Sequence, residues 1–250
     1  MDRYIDMHCH ILPEVDDGSQ SMEETRQMLM TAYQEGIRYV IATPHHHPRR
    51  GKASPPELRR QLKKVREEAA QISDRLKVFL GTEIYFGQDI PEKLKEDKVL
   101  TMNRTRYVLV EFSPSDPFEY MHRGIQRIQM KGYVVILAHA ERYECLREDI
   151  GNAEYLDEMG VLIQVNAGSI TGNGGWKLKK SVKQLLEREL VFCVGTDAHD
   201  NGRRAPRMKK AAEYVKKKYG EDYARRIFFS NAAEMLRKKK RNESRESNKS

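Results

Sequence analysis

The chain is predicted to be an α/β protein whose parallel strands close, or nearly close, into a barrel. Seven short, β-rich apolar runs alternate with amphipathic stretches of helical period. Glycines stand where helices end and strands begin. The apolar runs also end repeatedly in residues able to bind a metal, and parallel barrels carry their functional groups at that end of the strands. An open doubly wound sheet is the alternative reading of the same alternation.

The expected strands are Tyr4–Asp6, Tyr39–Thr43, Lys77–Gly81, Tyr107–Phe112, Tyr133–Ala138, Val161–Val165 and Val191–Gly195. Ser21-x-x-Glu24 reads as a capping box opening a helix through about Glu35. Ser54-Pro55-Pro56-Glu57 opens a second helix, with proline in the first turn. Its apolar face is Leu58, Leu62, Val65, Ala69 and Ile72, a core stripe. Further helices fit Pro117–Met130, Cys145–Met159, Lys177–Glu189, Arg207–Tyr219 and Tyr223–Leu236. Gly36, Gly132 and Gly160 lie just past helices. Gly168–Gly175 lacks the spacing of a nucleotide-binding loop and reads as a mobile βα loop.

The 250 residues, 39% of them apolar, support a substantial core. No run of ~18 apolar residues is present, so no membrane insertion is expected. Neither is a secretory signal. Three cysteines without a close pair argue against a disulfide framework, and a cytoplasmic setting fits. The net charge of +8 suggests nucleic acid, but Arg237–Ser250 holds seven Lys/Arg against two Glu, leaving +3 on the rest. The expected organisation is therefore one domain over residues 1–236, followed by a basic, disordered tail over 237–250. No specific nucleic-acid partner is expected.

His8-Cys9-His10 opens the chemistry. Residues i and i+2 of a strand share a face, so both imidazoles can meet one cation. Asp17 follows in the next loop. His45 follows the second strand, Glu83 the third, and Glu111 ends the fourth. His139 ends the fifth, and Asp197 and His199 follow the seventh. Scattered in sequence, these residues would converge at one rim. Five histidines and four carboxylates exceed the needs of one ion and suit two or three. Imidazole and carboxylate without thiolate suit Mn²⁺, Fe²⁺ or Zn²⁺. Three divalent ions against four carboxylates leave about +2, which attracts a dianion such as a phosphate monoester. Arg142 and Arg204 lie just beyond His139 and His199, and a guanidinium fork matches phosphate oxygens.

A cysteine nucleophile is unsupported. The positions six residues beyond Cys9, Cys145 and Cys193 hold Val15, Gly151 and His199, none of them the arginine that cysteine-dependent tyrosine phosphatases use.

Several segments carry a resemblance. They are His8-Cys9-His10, Val15-Asp16-Asp17-Gly18, Thr43-Pro44-His45, Gly81-Thr82-Glu83-Ile84-Tyr85, Glu111-Phe112, Ala138-His139-Ala140-Glu141-Arg142-Tyr143 and Thr196-Asp197-Ala198-His199. Together, over roughly Met1 to Leu236, they resemble the polymerase-and-histidinol-phosphatase (PHP) superfamily. More narrowly, they are similar to its bacterial manganese-dependent protein-tyrosine phosphatases of capsule and exopolysaccharide operons, the YwqE/CpsB-like group. The resemblance implies a distorted (β/α)₇ TIM-like barrel with three metal ions, usually Mn²⁺. It implies hydrolysis of phosphotyrosine on bacterial tyrosine kinases with Tyr-rich tails. By this match His8, His10, Asp17, His45, Glu83, Glu111, His139, Asp197 and His199 are metal ligands, and Arg142 and Arg204 hold phosphate. Asp17 is preferred to Asp16 for its place before Gly18. His46 and His47 match no role and are expected in a loop, and His122 is expected to be structural. The expected mechanism is direct attack of a metal-bound hydroxide on phosphorus, without a phosphoenzyme. His199 or a metal-bound water would protonate the phenolate.

Rival readings are a histidinol-phosphate or other small-molecule phosphatase on the same fold, a PHP exonuclease or phosphodiesterase, and a non-catalytic nucleic-acid binder. The Glu141-Arg142-Tyr143 segment favours phosphotyrosine over the first, the weakly charged body disfavours the second, and the third leaves the ligand set unexplained.

Overall fold

The computed structural model describes residues 3–51 and 53–237. The tail is thus outside the described residues except for Arg237, which ends the last helix. Strands and helices alternate from the start: β1 (Tyr4–Cys9), α1 (Met22–Gln34), β2 (Ile37–Ala42), β3 (His45–His46), α2 (Pro55–Ile72), β4 (Lys77–Leu80), β5 (Glu83–Tyr85) and α3 (Ile90–Lys95). Next come β6 (Tyr107–Glu111), α4 (Phe118–Gln129), β7 (Val134–Leu137), α5 (Glu144–Glu148), α6 (Gly151–Glu158) and β8 (Leu162–Asn166). The chain continues with α7 (Ala167–Thr171), α8 (Trp176–Glu187), β9 (Val191–Gly195), α9 (Lys209–Tyr219), α10 (Glu221–Arg225) and α11 (Asn231–Arg237). A π-helical turn, Arg226–Ser230, joins the last two.

All strand pairs are parallel, as the alternation predicts. They form two sheets, β1-β2-β4 and β3-β5-β6-β7-β8-β9, rather than the single sheet expected. The division arises because β2 and β4 end where the second and third expected strands end, and the chain re-enters the sheet beyond Thr43-Pro44 and Gly81-Thr82. Single backbone bonds carry the ladder across, from Gly81 N–H to Ala42 C=O (2.8 Å) and from Glu83 N–H to Pro44 C=O (3.1 Å). His45 and Glu83 therefore begin short strands of their own instead of trailing longer ones. At the other seam β9 meets β1 through Asp197 N–H to His8 C=O (2.7 Å) and His10 N–H to Ala198 C=O (2.8 Å).

Side-chain alternation sorts the core. Val108 and Val110 of β6 join the larger apolar cluster, with Ile125 and Ile128 of α4. Tyr107 and Leu109 join a smaller one, with Ile5, Met7, Ile41, Ile136 and Cys193. Ala232 and Met235 of α11 belong to this second cluster. Glu111 has the parity of Tyr107 and Leu109, so its carboxylate emerges at the carboxyl end of the same face.

Local signals hold in most places. Ser21 accepts the Glu24 N–H at the start of α1, while Glu24 reaches back to Gln20 rather than to Ser21. Leu58, Leu62, Val65 and Ala69 are buried along α2. Gly36, Gly132 and Gly160 follow helices with positive φ. The helix expected over Cys145–Met159 is broken, because Asp149 is extended and its carboxylate takes the Gly151 N–H (2.9 Å). The segment read as a mobile loop is helical up to Thr171 in α7, with Gly172 (φ 94°) closing it.

Gly124 in α4 faces the stacked rings of Phe86 and Phe112, whose centroids lie 5.0 Å apart. An added Cβ would come within 2.8 Å of Phe86 and 3.1 Å of Phe112, both buried. On an exposed helix, Gly→Ala stabilises by about 1 kcal/mol. Here overpacking reverses the sign, so Gly124→Ala should destabilise by about 1–3 kcal/mol in urea unfolding.

Candidate metal centre

The predicted ligands arrive at one place because each ends or begins a strand at the same rim. His8 is the last residue but one of β1, and His10 lies one step beyond the strand. His45 opens β3, Glu83 opens β5 and Glu111 closes β6. His139 follows β7 in a left-handed conformation (φ 34°), and Asp197 follows β9 in another (φ 53°). Strained backbone of this kind persists where surrounding contacts hold it. Asp197 N–H is fixed on His8 C=O, and His139 N–H on the side-chain oxygen Oε1 of Gln164 at 2.8 Å.

Glu83 is the hub. Its Oε2 lies 3.3 Å from His8 Nε2, 3.4 Å from His10 Nε2 and 2.8 Å from His45 Nδ1. Its Oε1 lies 2.8 Å from His139 Nε2. Asp197 Oδ1 approaches His8 Nε2 (3.8 Å) and His10 Nε2 (3.6 Å). Asp17 Oδ1 stands between His45 Nε2 (3.2 Å) and His199 Nε2 (3.4 Å). Three donor groups result: His10, Asp17, His45 and His199; His8, His10 and Asp197; and His45, Glu83 and Glu111. The donor atoms within each lie within 4.8 Å of one another. His10 and His45 are shared between groups. His139 belongs to none of the three but reaches the third through Glu83 and, at 3.6 Å, Glu111.

The two adjacent acids point in different directions. Asp17 faces His45 and His199. Asp16 turns away to hold the cluster's frame, meeting His10 Nδ1 at 2.7 Å and accepting the His45 N–H at 2.9 Å.

The residues present fit divalent ions on two counts. The first is ring orientation. His8 Nδ1 faces Gln164 Oε1 (3.2 Å), His10 Nδ1 faces Asp16, and His199 Nδ1 faces the Asp197 carbonyl (3.0 Å). Each outer nitrogen thus donates outward, and each Nε2 turns its lone pair to the common centre, as metal-binding imidazoles do. The second is unmet demand. His45 Nδ1 and Nε2, Glu83 Oε2 and Glu111 Oε2 are buried beside one another or beside Asp17 as ion pairs, but none makes an aligned hydrogen bond. Unpaired buried polar atoms are costly unless something of opposite charge stands among them.

Electrostatics says the same. Burial lowers His10 and His45, yet the surrounding carboxylates, Asp16 first for His10 and Asp17 for His45, raise them to about 10 and about 9. Burial raises Glu83, but the imidazoles, His8 foremost, hold it well below the usual carboxylate range. The pocket is one of excess negative charge that draws in cations.

Both predicted arginines reach the centre through Asp197. Arg142 Nη2 donates to Oδ2 (2.6 Å), and Arg204 Nη2 donates to Oδ1 (2.9 Å). Their side chains are 33% and 42% exposed, so each guanidinium also presents donors to the mouth.

Three functional neighbours were not anticipated. Gln164 and Asn166 of β8 form a buried chain: Gln164 Nε2 donates to Asn166 Oδ1 (2.9 Å), and Asn166 Nδ2 donates to Asp197 Oδ2 (2.9 Å). Asp6 accepts from Thr196 N–H (2.8 Å) and His8 N–H (3.2 Å), tying β1 to the loop that carries Asp197. The signal for the first two was polar residues at alternate positions in the otherwise apolar run Leu162–Asn166. Cys9 is buried, and burial raises its thiol well above the ordinary range, which disfavours a nucleophile.

A parallel α/β fold with an imidazole–carboxylate cluster at the carboxyl ends of its strands defines the class of metal-dependent hydrolases. Residues 4–237 match the model of the family described as capsular polysaccharide synthesis, CpsB/CapC, and the chain belongs to that family. It is 34% identical over 239 residues to a tyrosine-protein phosphatase CpsB of Streptococcus pneumoniae, covering 93% of this chain and 98% of that one. It is 32% identical over 222 residues to the tyrosine-protein phosphatase YwqE of Bacillus subtilis, covering 87% and 86%. Among solved structures it superposes with TM-score 0.87 and 31% identity on one from a study of YwqE and CpsB, described there as unique metal-dependent tyrosine phosphatases, covering 94% of this chain and 95% of that one. A lactonase from Listeria monocytogenes shares the fold alone (TM-score 0.61, 9% identity, covering 95% and 94%).

Cys9→Ser should keep most activity, whereas His10→Ala should lose nearly all, measured as phosphate release at matched folding by circular dichroism. Asp16→Asn should lower metal affinity or activity by about 10–100-fold while the fold persists, as loss of an outer partner of a ligand does.

Proposed function

We propose that the chain is a metal-dependent protein-tyrosine phosphatase, with Mn²⁺ as its working ion, in two or three copies. The observation that carries this is the convergence of His8, His10 and His199 Nε2 with Asp17, Glu83, Glu111 and Asp197, each outer imidazole nitrogen already satisfied. The names of its relatives supply the substrate class. His8, His10, Asp17, His45, Glu83, Glu111, His139, Asp197 and His199 would hold the ions. Imidazole with carboxylate and no thiolate suits Mn²⁺, with Fe²⁺ or Zn²⁺ the alternatives. Bound divalent ions would lower the pKa of water and neutralise phosphate oxygens.

The chain's own residues supply the rest. Arg142 and Arg204, hinged on opposite oxygens of Asp197, present guanidinium N–H groups to two sides of an incoming phosphate. His199 is held by Asp197 C=O and by its own N–H to Arg204 C=O (3.0 Å), which keeps Nε2 turned to the ions; with both ring nitrogens so engaged, water at the mouth would supply the proton to the departing phenolate. Phenolate, with a parent pKa of ~10, needs little such help. The natural substrate we propose is a bacterial tyrosine kinase with a Tyr-rich tail that governs polysaccharide export. No helix among the described residues is long and apolar enough to cross a membrane. A cytoplasmic site of action accords with such a substrate.

The test is phosphate release from a phosphotyrosine peptide and from histidinol phosphate, side by side, on protein stripped of metal and then given Mn²⁺. Release from the peptide alone, only after Mn²⁺ is restored, is expected. Preference for histidinol phosphate would reassign the chain to small-molecule chemistry.

A further inference from the structure

Beyond the metal-binding residues lie Tyr85, the last residue of β5, and His47, the first residue past β3. The two strands pair in register, His45 with Glu83 and His46 with Ile84. Side chains alternate, so the next residues on the cluster's face are His47 and Tyr85. Their rings meet edge to face, with centroids 4.4 Å apart at 66°. The His47 ring lies 6.1 Å from that of His45. Both are partly exposed, whereas His45 and Glu83 are buried. An aromatic pair thus stands one step outward from the centre.

The pair is held in place. His47 N–H donates to Gly51 C=O (2.8 Å), and His47 Nδ1 accepts the Arg49 N–H (2.9 Å), which sets the ring's orientation. Gly51 is pressed against the loop bearing the two acids: a Cβ there would come within 2.8 Å of Val15 C=O and 2.9 Å of Asp16 Cβ. Arg50 Nη1 lies 3.6 Å from Glu111 Oε1. The loop is anchored to the cluster at both ends.

From this placement we infer that His47 and Tyr85 form the wall that receives the aryl ring of the substrate and selects aryl over alkyl phosphate esters. This rests on the phosphatase reading above. With phosphate at the cluster, an aryl ester carries its ring directly outward, one oxygen away, past His47 and Tyr85. An edge-to-face or offset ring finds favourable contact there. A seryl or other alkyl ester has no ring to fill the space, and its phosphate sits at the same centre with the wall unused. Neither residue holds the ions in the arrangement above, so both act on selection and not on the bond broken.

The test uses the full chain loaded with Mn²⁺, with Tyr85→Ala, Tyr85→Phe and His47→Ala, on a phosphotyrosine peptide and its phosphoserine counterpart. For Tyr85→Ala, KM for the phosphotyrosine peptide should rise about 10-fold with kcat nearly unchanged, as loss of one ring contact gives. Phosphoserine kcat/KM and metal content should stay constant, so selectivity falls by the same factor. Tyr85→Phe should retain selectivity, and His47→Ala should reduce it. An active wild type whose selectivity survives both alanine variants overturns the aryl wall alone. Equal losses on both peptides overturn it as well, since they mark a structural role. A wild type that releases no phosphate from the phosphotyrosine peptide overturns this inference and the phosphatase reading together.

Discussion

A single buried carboxylate, Glu83, touches four imidazoles. Removed from water, its charge is tolerable only among partners that answer it, and His8, His10, His45 and His139 do so within 3.4 Å. Those partners come from three other strands or strand ends, so one side chain fixes the relative positions of β1, β3, β5 and β7. Any slip of one residue in β5 would turn Glu83 into the apolar layer and Ile84 into the cluster. The register is therefore specified twice, by the apolar alternation and by the charge.

The same constraint accounts for the irregularities of the sheet. Continuous strands would pass their polar groups through the core; instead the ladder breaks at Pro44 and at Gly81-Thr82, and new short strands begin with His45 and Glu83. The His45 N–H passes to the Asp16 carboxylate. Outer partners then orient what the inner residues present. Asp16, Gln164 and the Asp197 carbonyl each take an imidazole Nδ1. Asp6 and Thr196 bind the loop after β9 to β1. Preorganisation of this kind leaves little to rearrange when charge develops on a bound phosphate.

The legible parts of the sequence were those written in local patterns. His8-Cys9-His10 declares two same-face imidazoles by alternation alone, and the α2 stripe of Leu58, Leu62, Val65 and Ala69 declares its buried face. The ends of apolar runs carry Glu111, His139 and Asp197, which the structure brings to one rim. What escaped depends on contacts distant in the chain. Gln164 acts only by reaching His8, 156 positions away, and a neutral amide carries no metal-binding signature of its own. The break at Asp149 turns on one side chain outcompeting helical hydrogen bonds, which periodicity does not register. His46, expected in a loop, belongs to β3, while His47 lies just past it; its ring partner, Tyr85, is on β5, and only the pairing of those two strands brings the rings together.

The claim that the cluster is a polynuclear metal centre organised by Glu83 is tested most directly by elemental analysis of metal per chain, in the wild type and in Glu83→Gln, after dialysis against Mn²⁺. The account predicts two or three ions per wild-type chain and a clear loss in Glu83→Gln at unchanged helical content. One ion or none in the wild type, or equal occupancy in both chains, would contradict it.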